Sequence, residues 1–392
     1  MASTSSVTAR AALSSAIRAA ISAASPVSAL RSTVRFDGRH IYRNDVLIDL
    51  TSASSALILG AGKASVALAA ELVTQLSTQL NPPLPLSPTG IVITKDGHAS
   101  EADTAVLLSA GIALRFAGHP QPDARGAAAA AEMLHAVHMA TPDTAVFLCL
   151  SGGASSLTPA PAEGITLSDL ILLNDALLAS GAPIEDVNAV RKHCSKFSGG
   201  RLGALVTRSG ATCLITLIIS DVVGDRLDVI GSGPTTRDTS TFRDAIHVLE
   251  ERHIIAPNAV SEHLLAGANG RHDETEKNEQ LNHVAWIIAS NKASTTAAAV
   301  ALEKFGFKAH IITNALEGEA RLVARDLAIA LKAAPIGTAL IYGGETTVTL
   351  GAMRGLGGRN QELALALALE MGEEGESGGR GGGGVGSCLP CY

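Results

Sequence analysis

The sequence predicts an α/β protein, with a Rossmann-like, mostly parallel sheet in a large N-terminal domain and a smaller, incomplete α/β domain after it. Three observations carry this. Short aliphatic runs alternate with helix-length segments along most of the 392 residues, the pattern of βαβ units. The composition is 46% apolar but only 3% aromatic, which suits small-residue helices laid on aliphatic strands. Glycines and polar residues gather just after the apolar runs, and the carboxyl ends of parallel strands are where such sheets hold their ligands.

Taken in order, residues 1–36 carry Arg10, Arg18, Arg31 and Arg35, many Ser and Ala, and no acid. That composition suits a mitochondrial transit peptide, whereas Ile17 and Ile21 give residues 7–24 the apolar side of a helix that packs on the protein. Strands are expected at Ala56–Leu59, Gly90–Thr94, Thr144–Leu150, Cys213–Ser220, Ala285–Ala289, Ala309–Thr313 and Thr338–Tyr342. Helices are expected at Ala64–Gln79, Gly126–Ala140, Thr166–Ala179, Lys292–Phe305 and Gly318–Ala334. The aperiodic, charge-dense stretch 269–282 reads as a linker or surface loop between domains 1–268 and 283–372. The glycine-rich residues 373–392 read as a flexible tail, and the Cys388–Cys391 pair in it lacks the second pair that a zinc site needs.

A net charge of −7 without a long basic cluster argues against nucleic-acid binding. No apolar run reaches the ~18 residues that span a bilayer. Cys149 and Cys213 lie inside apolar runs and read as small buried hydrophobes. A soluble protein of the cell interior is expected.

Five loops have the residue types for chemistry. Gly60-Ala61-Gly62-Lys63 follows an aliphatic run and opens a helix, so tight glycine geometry, free N–H groups and a lysine meet at one point. Ser65 stands where a dinucleotide fingerprint needs its last glycine, and an ordinary strand-to-helix turn is the competing reading. Ser151-Gly152-Gly153-Ala154-Ser155-Ser156 has the small residues of a backbone anion nest. Asn188–Arg201, read as helical, carries Arg191, Lys192 and Lys196 before a glycine pair, and the fork of Arg191 matches a carboxylate or phosphate. Asp221 and Asp225 stand at the exit of an apolar run, suiting a Mg²⁺–nucleotide site or a general base, or else simple capping. Gly343-Gly344-Glu345 is followed by Gly357-Gly358-Arg359-Asn360 at a helix start, an arrangement that aims Arg359 and free N–H groups at one ligand.

Taken together, GAGKAS, GHPQPD, LSGGASSL, NAVRKHCSKFSGGRL, SDVVGD, GSGPT, LEGEAR, GGETTV and GGRNQELALA occur in the order found in the glycerate 2-kinase family, and residues 7–372 resemble it. The resemblance implies ATP- and Mg²⁺-dependent phosphorylation of D-glycerate at its 2-hydroxyl, in a cleft between a Rossmann-like domain and a leucine-rich MOFRL domain. By motif it implies Lys63, Arg359 and Asp221 as catalytic residues. Gly60, Gly62, Ser151, Gly152, Gly153, Ser155, Arg191, Lys196, Glu345 and Asn360 are implied in substrate and nucleotide binding, and Asp221 and Asp225 as metal ligands. It favours the cytoplasm over the mitochondrion, names only small-molecule partners, with neither nucleic acid nor membrane, and allows a homodimer.

The chain departs from the family pattern at Leu356 and Arg226, and after the leucine-rich helix it runs into the glycine-rich tail. The family continues there into a further strand and an aspartate- and glycine-rich loop. Two other readings therefore stand beside the kinase: an NAD(P)H-dependent hydroxypyruvate reductase, and a catalytically inactive truncated product with a MOFRL sheet short of strands.

Overall fold

The computed structural model describes residues 2–87, 89–280, 282–350 and 356–372. The chain opens with α1 (Ala2–Ala24), α2 (Pro26–Thr33) and an antiparallel meander of β1 (Arg35–Asp37), β2 (His40–Arg43) and β3 (Val46–Asp49). The alternation then begins: β4 (Ser55–Ala61), α3 (Ser65–Thr78), β5 (Ile91–Lys95), α4 (Glu101–Ser109), β6 (Ala113–Ala117), α5 (Ala124–His138) and β7 (Thr144–Ser151). A helical excursion follows as α6 (Ala154–Leu157), α7 (Leu167–Ala179), α8 (Ile184–His193) and α9 (Arg201–Ser209), ending in β8 (Cys213–Ile219). The remainder is α10 (Phe242–Glu251), α11 (Asn258–Ala268), β9 (His283–Ala289), α12 (Asn291–Glu303), β10 (Lys308–Leu316), α13 (Ala320–Ala333), β11 (Thr338–Gly344) and α14 (Arg359–Gly372).

Two compact units form. The larger, Ala29–Ile288, holds a six-stranded sheet in the order β6-β5-β4-β7-β8-β9. Numbered from its first strand this is 3-2-1-4-5-6, the doubly wound order whose switch point lies between strands 1 and 4, here β4 and β7. The pairs β5/β6, β4/β5, β4/β7 and β7/β8 are parallel. Helices on both faces leave no room for alternation, so β7 is buried at all eight positions and its sequence is a continuous apolar run. Met133 and Val137 of α5 and Leu202 and Val206 of α9 close over Val146, Leu148, Leu214 and Ile218. A second core unites α7, α8, α10 and α11 through Leu173, Val190, Phe242 and Leu264. Cys149, Cys194 and Cys213 are free and buried; burial pushes the Cys194 and Cys213 thiols up to about 12 and holds them inert.

The smaller unit joins residues up to Ser28 to those from Ala289 onward. In it, Ala12, Ala16 and Ala20 of α1, one turn apart, pack on Ala298, Ala301 and Leu302 of α12. β10 and β11 pair in parallel, and Ala324 and Ala328 of α13 meet Leu367 of α14. No helix of the described residues is long and apolar enough to cross a membrane.

Three expectations are corrected. Residues 269–282 do not divide the domains: Thr275 is 2% exposed, its hydroxyl donates to Asp238, and the Glu276 N–H donates to the Gly199 carbonyl, so this charged stretch is tied into the larger unit. β9 belongs to the large sheet, where Trp286 and Ile288 are buried. The helix expected over Asn188–Arg201 is two helices, because Gly199 and Gly200 take φ of +63° and +76°, which a right-handed helix does not admit. Residues 373–392, including Cys388 and Cys391, lie outside the described residues.

Candidate active site

The loops leaving β4 and β7 meet at the switch point, and glycines are what let them touch. Gly62 has φ +129°, and a Cβ there would collide with the Ser151 hydroxyl and stand 2.5 Å from the Ser151 carbonyl oxygen. The Lys63 N–H donates to the Gly152 carbonyl at 3.0 Å. The Ala64 N–H donates to Ser151 Oγ at 2.9 Å, so the start of α3 is capped from the neighbouring strand, its own N-cap being alanine. Ser65, where a dinucleotide site needs glycine, is fully buried and donates to the Gly62 carbonyl at 2.8 Å.

Three charged or titratable side chains converge on Gly152 and Gly153. A Cβ on Gly153 would lie 3.0 Å from His119 Nε2 and 3.3 Å from Lys63 Cε. A Cβ on Gly152 would collide with the carboxylate of Asp221. These groups leave β4 (Lys63), β6 (His119) and β8 (Asp221), around the turn after β7. Burial is the main cause holding His119 below its ordinary 6.5, with Lys63, Lys95 and His98 adding to it and Asp221 opposing. His119 is therefore a neutral hydrogen-bonding group at neutral pH.

Around this floor, Ser155 Oγ lies 2.9 Å from Ser232 Oγ, and Ser232 donates to Asn188 Oδ1 at 2.9 Å. Arg191 donates from Nε to Asn174 Oδ1 at 2.7 Å; burial lowers its pKa, and among the described residues no carboxylate pairs with it. Asp225 sits in a one-turn 3-10 helix with φ +54°. Gly60 faces β5, where a Cβ would stand 2.9 Å from Val92.

Lys196 does not join this set. It is exposed and lines a different cavity with Arg201, His263 and His272. The buried cation of the segment is Lys192, 3% exposed, 3.2 Å from Asp238 and 3.6 Å from Asp228. Helical phase explains the exchange: Lys192 is one turn after the inward-facing Asn188, whereas α8 ends at His193 before Lys196 is reached.

In the smaller unit, Arg359 pairs with Glu345 at 2.5 Å. Asn360 is the second residue of α14. Gly343 makes room for Asn291, whose Oδ1 would be 2.5 Å from a Cβ there.

His119 is the residue that sequence reasoning passed over. Its motif, GHPQPD, was visible, but β6 was not, so nothing placed it at a strand's carboxyl end.

The chain matches known proteins along most of its length. Residues 12–265 match the family described as a domain of unknown function, DUF4147, and residues 338–381 match the MOFRL family. A glycerate 2-kinase of Pyrococcus horikoshii is 36% identical over 363 residues, covering 90% of this chain and 78% of the relative. A protein of Agrobacterium vitis that carries the provisional name hydroxypyruvate reductase is 39% identical over 323 residues, 80% of this chain and 69% of the relative. The crystal structure of glycerate kinase from Thermotoga maritima superposes with a TM-score of 0.74 at 32% identity, covering 93% of this chain and 80% of that one. By its ordered loops, its sheet and these matches, the chain belongs to the glycerate kinase family that carries the MOFRL domain.

Proposed function

We propose that the chain transfers the γ-phosphoryl group of ATP to the 2-hydroxyl of D-glycerate, giving 2-phosphoglycerate and ADP. The observation that carries this reading is the convergence of Lys63, His119 and Asp221 on Gly152–Gly153 at the switch point. Phosphoryl transfer asks little covalent chemistry of a protein and much positioning and charge neutralisation. Lys63, which has no carboxylate partner among the described residues, stabilises the charge on the moving phosphoryl group. Arg359, paired with Glu345 in the smaller unit, is the other candidate cation for phosphate oxygens. The Ser151–Ser155 turn cradles phosphate oxygens, and Arg191 takes the glycerate carboxylate in its fork. As the new O–P bond forms and the bond to ADP breaks, the hydroxyl proton passes to a carboxylate, for which Asp221 and Asp225 are the candidates.

The donor set fits Mg²⁺. Asp221 and Asp225 offer hard oxygens free of ion pairs among the described residues, and no cluster of three or more His, Cys, Asp or Glu is preformed there. Mg²⁺ is usually held by one or two carboxylates together with substrate phosphates; Asp221 and Asp225 would hold it, and it would supply neutralising positive charge to the phosphates. The reading assigns the protein to the cytoplasm, supported by the packing of the α1 alanines.

The reductase reading has less support. Ser151 fills the space over Gly62 that a pyrophosphate needs. Asp96, the acid available to a ribose after β5, is held by Arg125 at 3.0 Å. A coupled assay with D-glycerate, ATP and Mg²⁺, scored for 2- against 3-phosphoglycerate beside NADH oxidation with hydroxypyruvate, tests both readings. The expected result is 2-phosphoglycerate alone. NADH oxidation without it supports the reductase, and neither activity supports the inactive product.

A further inference from the structure

Phosphoryl transfer leaves two parts of the sequence unused: Lys196 and Arg201, on either side of the Ser198–Gly200 turn, and the charged stretch 269–282. The fold brings them together. A cavity of about 190 Å³ is lined by Lys196, Arg201, His263 and His272, with Glu163 and Asp273 also on its wall. This is well above the roughly 10–15 Å³ that admits one water, and none of its lining residues belongs to the crevice at Lys63.

The polar groups here are short of partners. Arg201 donates from Nη2 to the Asp273 carbonyl at 3.2 Å, but its Nε is buried and unbonded. Among the described residues no carboxylate comes within ion-pair distance of it. Lys196 has no side-chain partner there either. His263 is 8% exposed. Its Nε2 donates to the His193 carbonyl at 3.0 Å, and the ring also faces the Glu163 main chain. The ring of His272 stacks on His263 with centroids 4.5 Å apart. A buried guanidinium N–H left without an acceptor is costly. A ligand oxygen seated in the cavity satisfies it. Glu274, Asp273 and Asp238 are the carboxylates that act on Arg201; Asp238 is engaged by Lys192 and Glu274 by Lys277, and Glu163 and Asp273 are exposed, so solvent weakens their opposition.

We infer that this cavity binds a phosphate-type oxyanion, whose oxygens accept from Arg201, Lys196 and His272. Free phosphate and a phosphate monoester share this chemistry. The test is calorimetric titration of inorganic phosphate, and separately of glycerol 3-phosphate, into the full chain carrying Lys63→Ala, which removes the crevice's lysine. The inference stands apart from the kinase reading, because its readout is binding that depends on His272 and Arg201, which have no part in the crevice at Lys63. One saturable site is expected, weakened about tenfold by adding His272→Ala and lost with Arg201→Gln, circular dichroism being unchanged for the His272 variant. The tighter of the two probes identifies the source. No saturable binding to the Lys63→Ala chain overturns the inference, as does binding that both added substitutions leave intact.

Discussion

In the larger unit, every residue of β7 is buried and the turn after it is pinned by hydrogen bonds from Lys63 and Ala64 of the neighbouring loop. In the smaller unit, five of the nine β10 residues are exposed, and among the described residues the sheet there is a single parallel pair. The charges differ in the same way. Lys63 has no carboxylate partner among the described residues, whereas Arg359 is engaged by Glu345. On the proposed reading, the Lys63 loop is preorganised by packing and Arg359 is held by a replaceable ion pair. Preorganisation is the larger source of catalysis, so substitutions around the Lys63 loop carry the greater penalty.

Two glycines sharpen the contrast within the larger unit. Gly152→Ala meets only the tip of the Asp221 side chain, which can swing away. It is expected to lower turnover about 10²-fold by displacing that carboxylate, with the urea-unfolding midpoint almost unchanged. Gly62→Ala meets the Ser151 backbone at φ +129° and is expected to cost about 1–3 kcal/mol of stability. Denaturant curves and steady-state rates measured side by side separate the two, and equal loss of stability in both would break the distinction.

Glu345→Gln probes the smaller unit. It removes an exposed ion pair worth about 0.2–1 kcal/mol, so thermal stability should hold. If the pair orients Arg359 before phosphate takes its place, turnover should fall about tenfold. Unaltered or faster turnover would show that Glu345 only competes for Arg359.

The smallest effect is on stability against pH. Burial lowers His283 from 6.5 to about 4. Between those values the unfolded chain takes up a proton that the folded chain refuses, so stability falls as pH falls through this window. Discounted for partial exposure, the loss is on the order of 1–2 kcal/mol. His283→Gln should flatten thermal-unfolding midpoints across the same range.

What the sequence makes legible follows the same division between packing and partnership. β4, β7 and β8 are continuous apolar runs because they are covered on both faces, and their loops could be placed from the runs alone. β6 escaped notice because it is the edge strand of the sheet, with Arg115 and Phe116 exposed, and His119 was lost with it. The charge of 269–282 resembled a linker because its partners, Asp238 and Gly199, lie far away in the sequence. Lys192 and Lys196 are indistinguishable by composition; the end of α8 at His193 decides which faces inward. Arg359 and Glu345 were each visible after a glycine pair, but their pairing was not.

The most direct test of the central claim is turnover of D-glycerate by Lys63→Ala, measured as 2-phosphoglycerate formed, with circular dichroism and thermal unfolding on the same sample. The account predicts a loss of about 10²–10³-fold with the fold intact. Near-normal turnover would contradict it and remove the Lys63 crevice from the reaction.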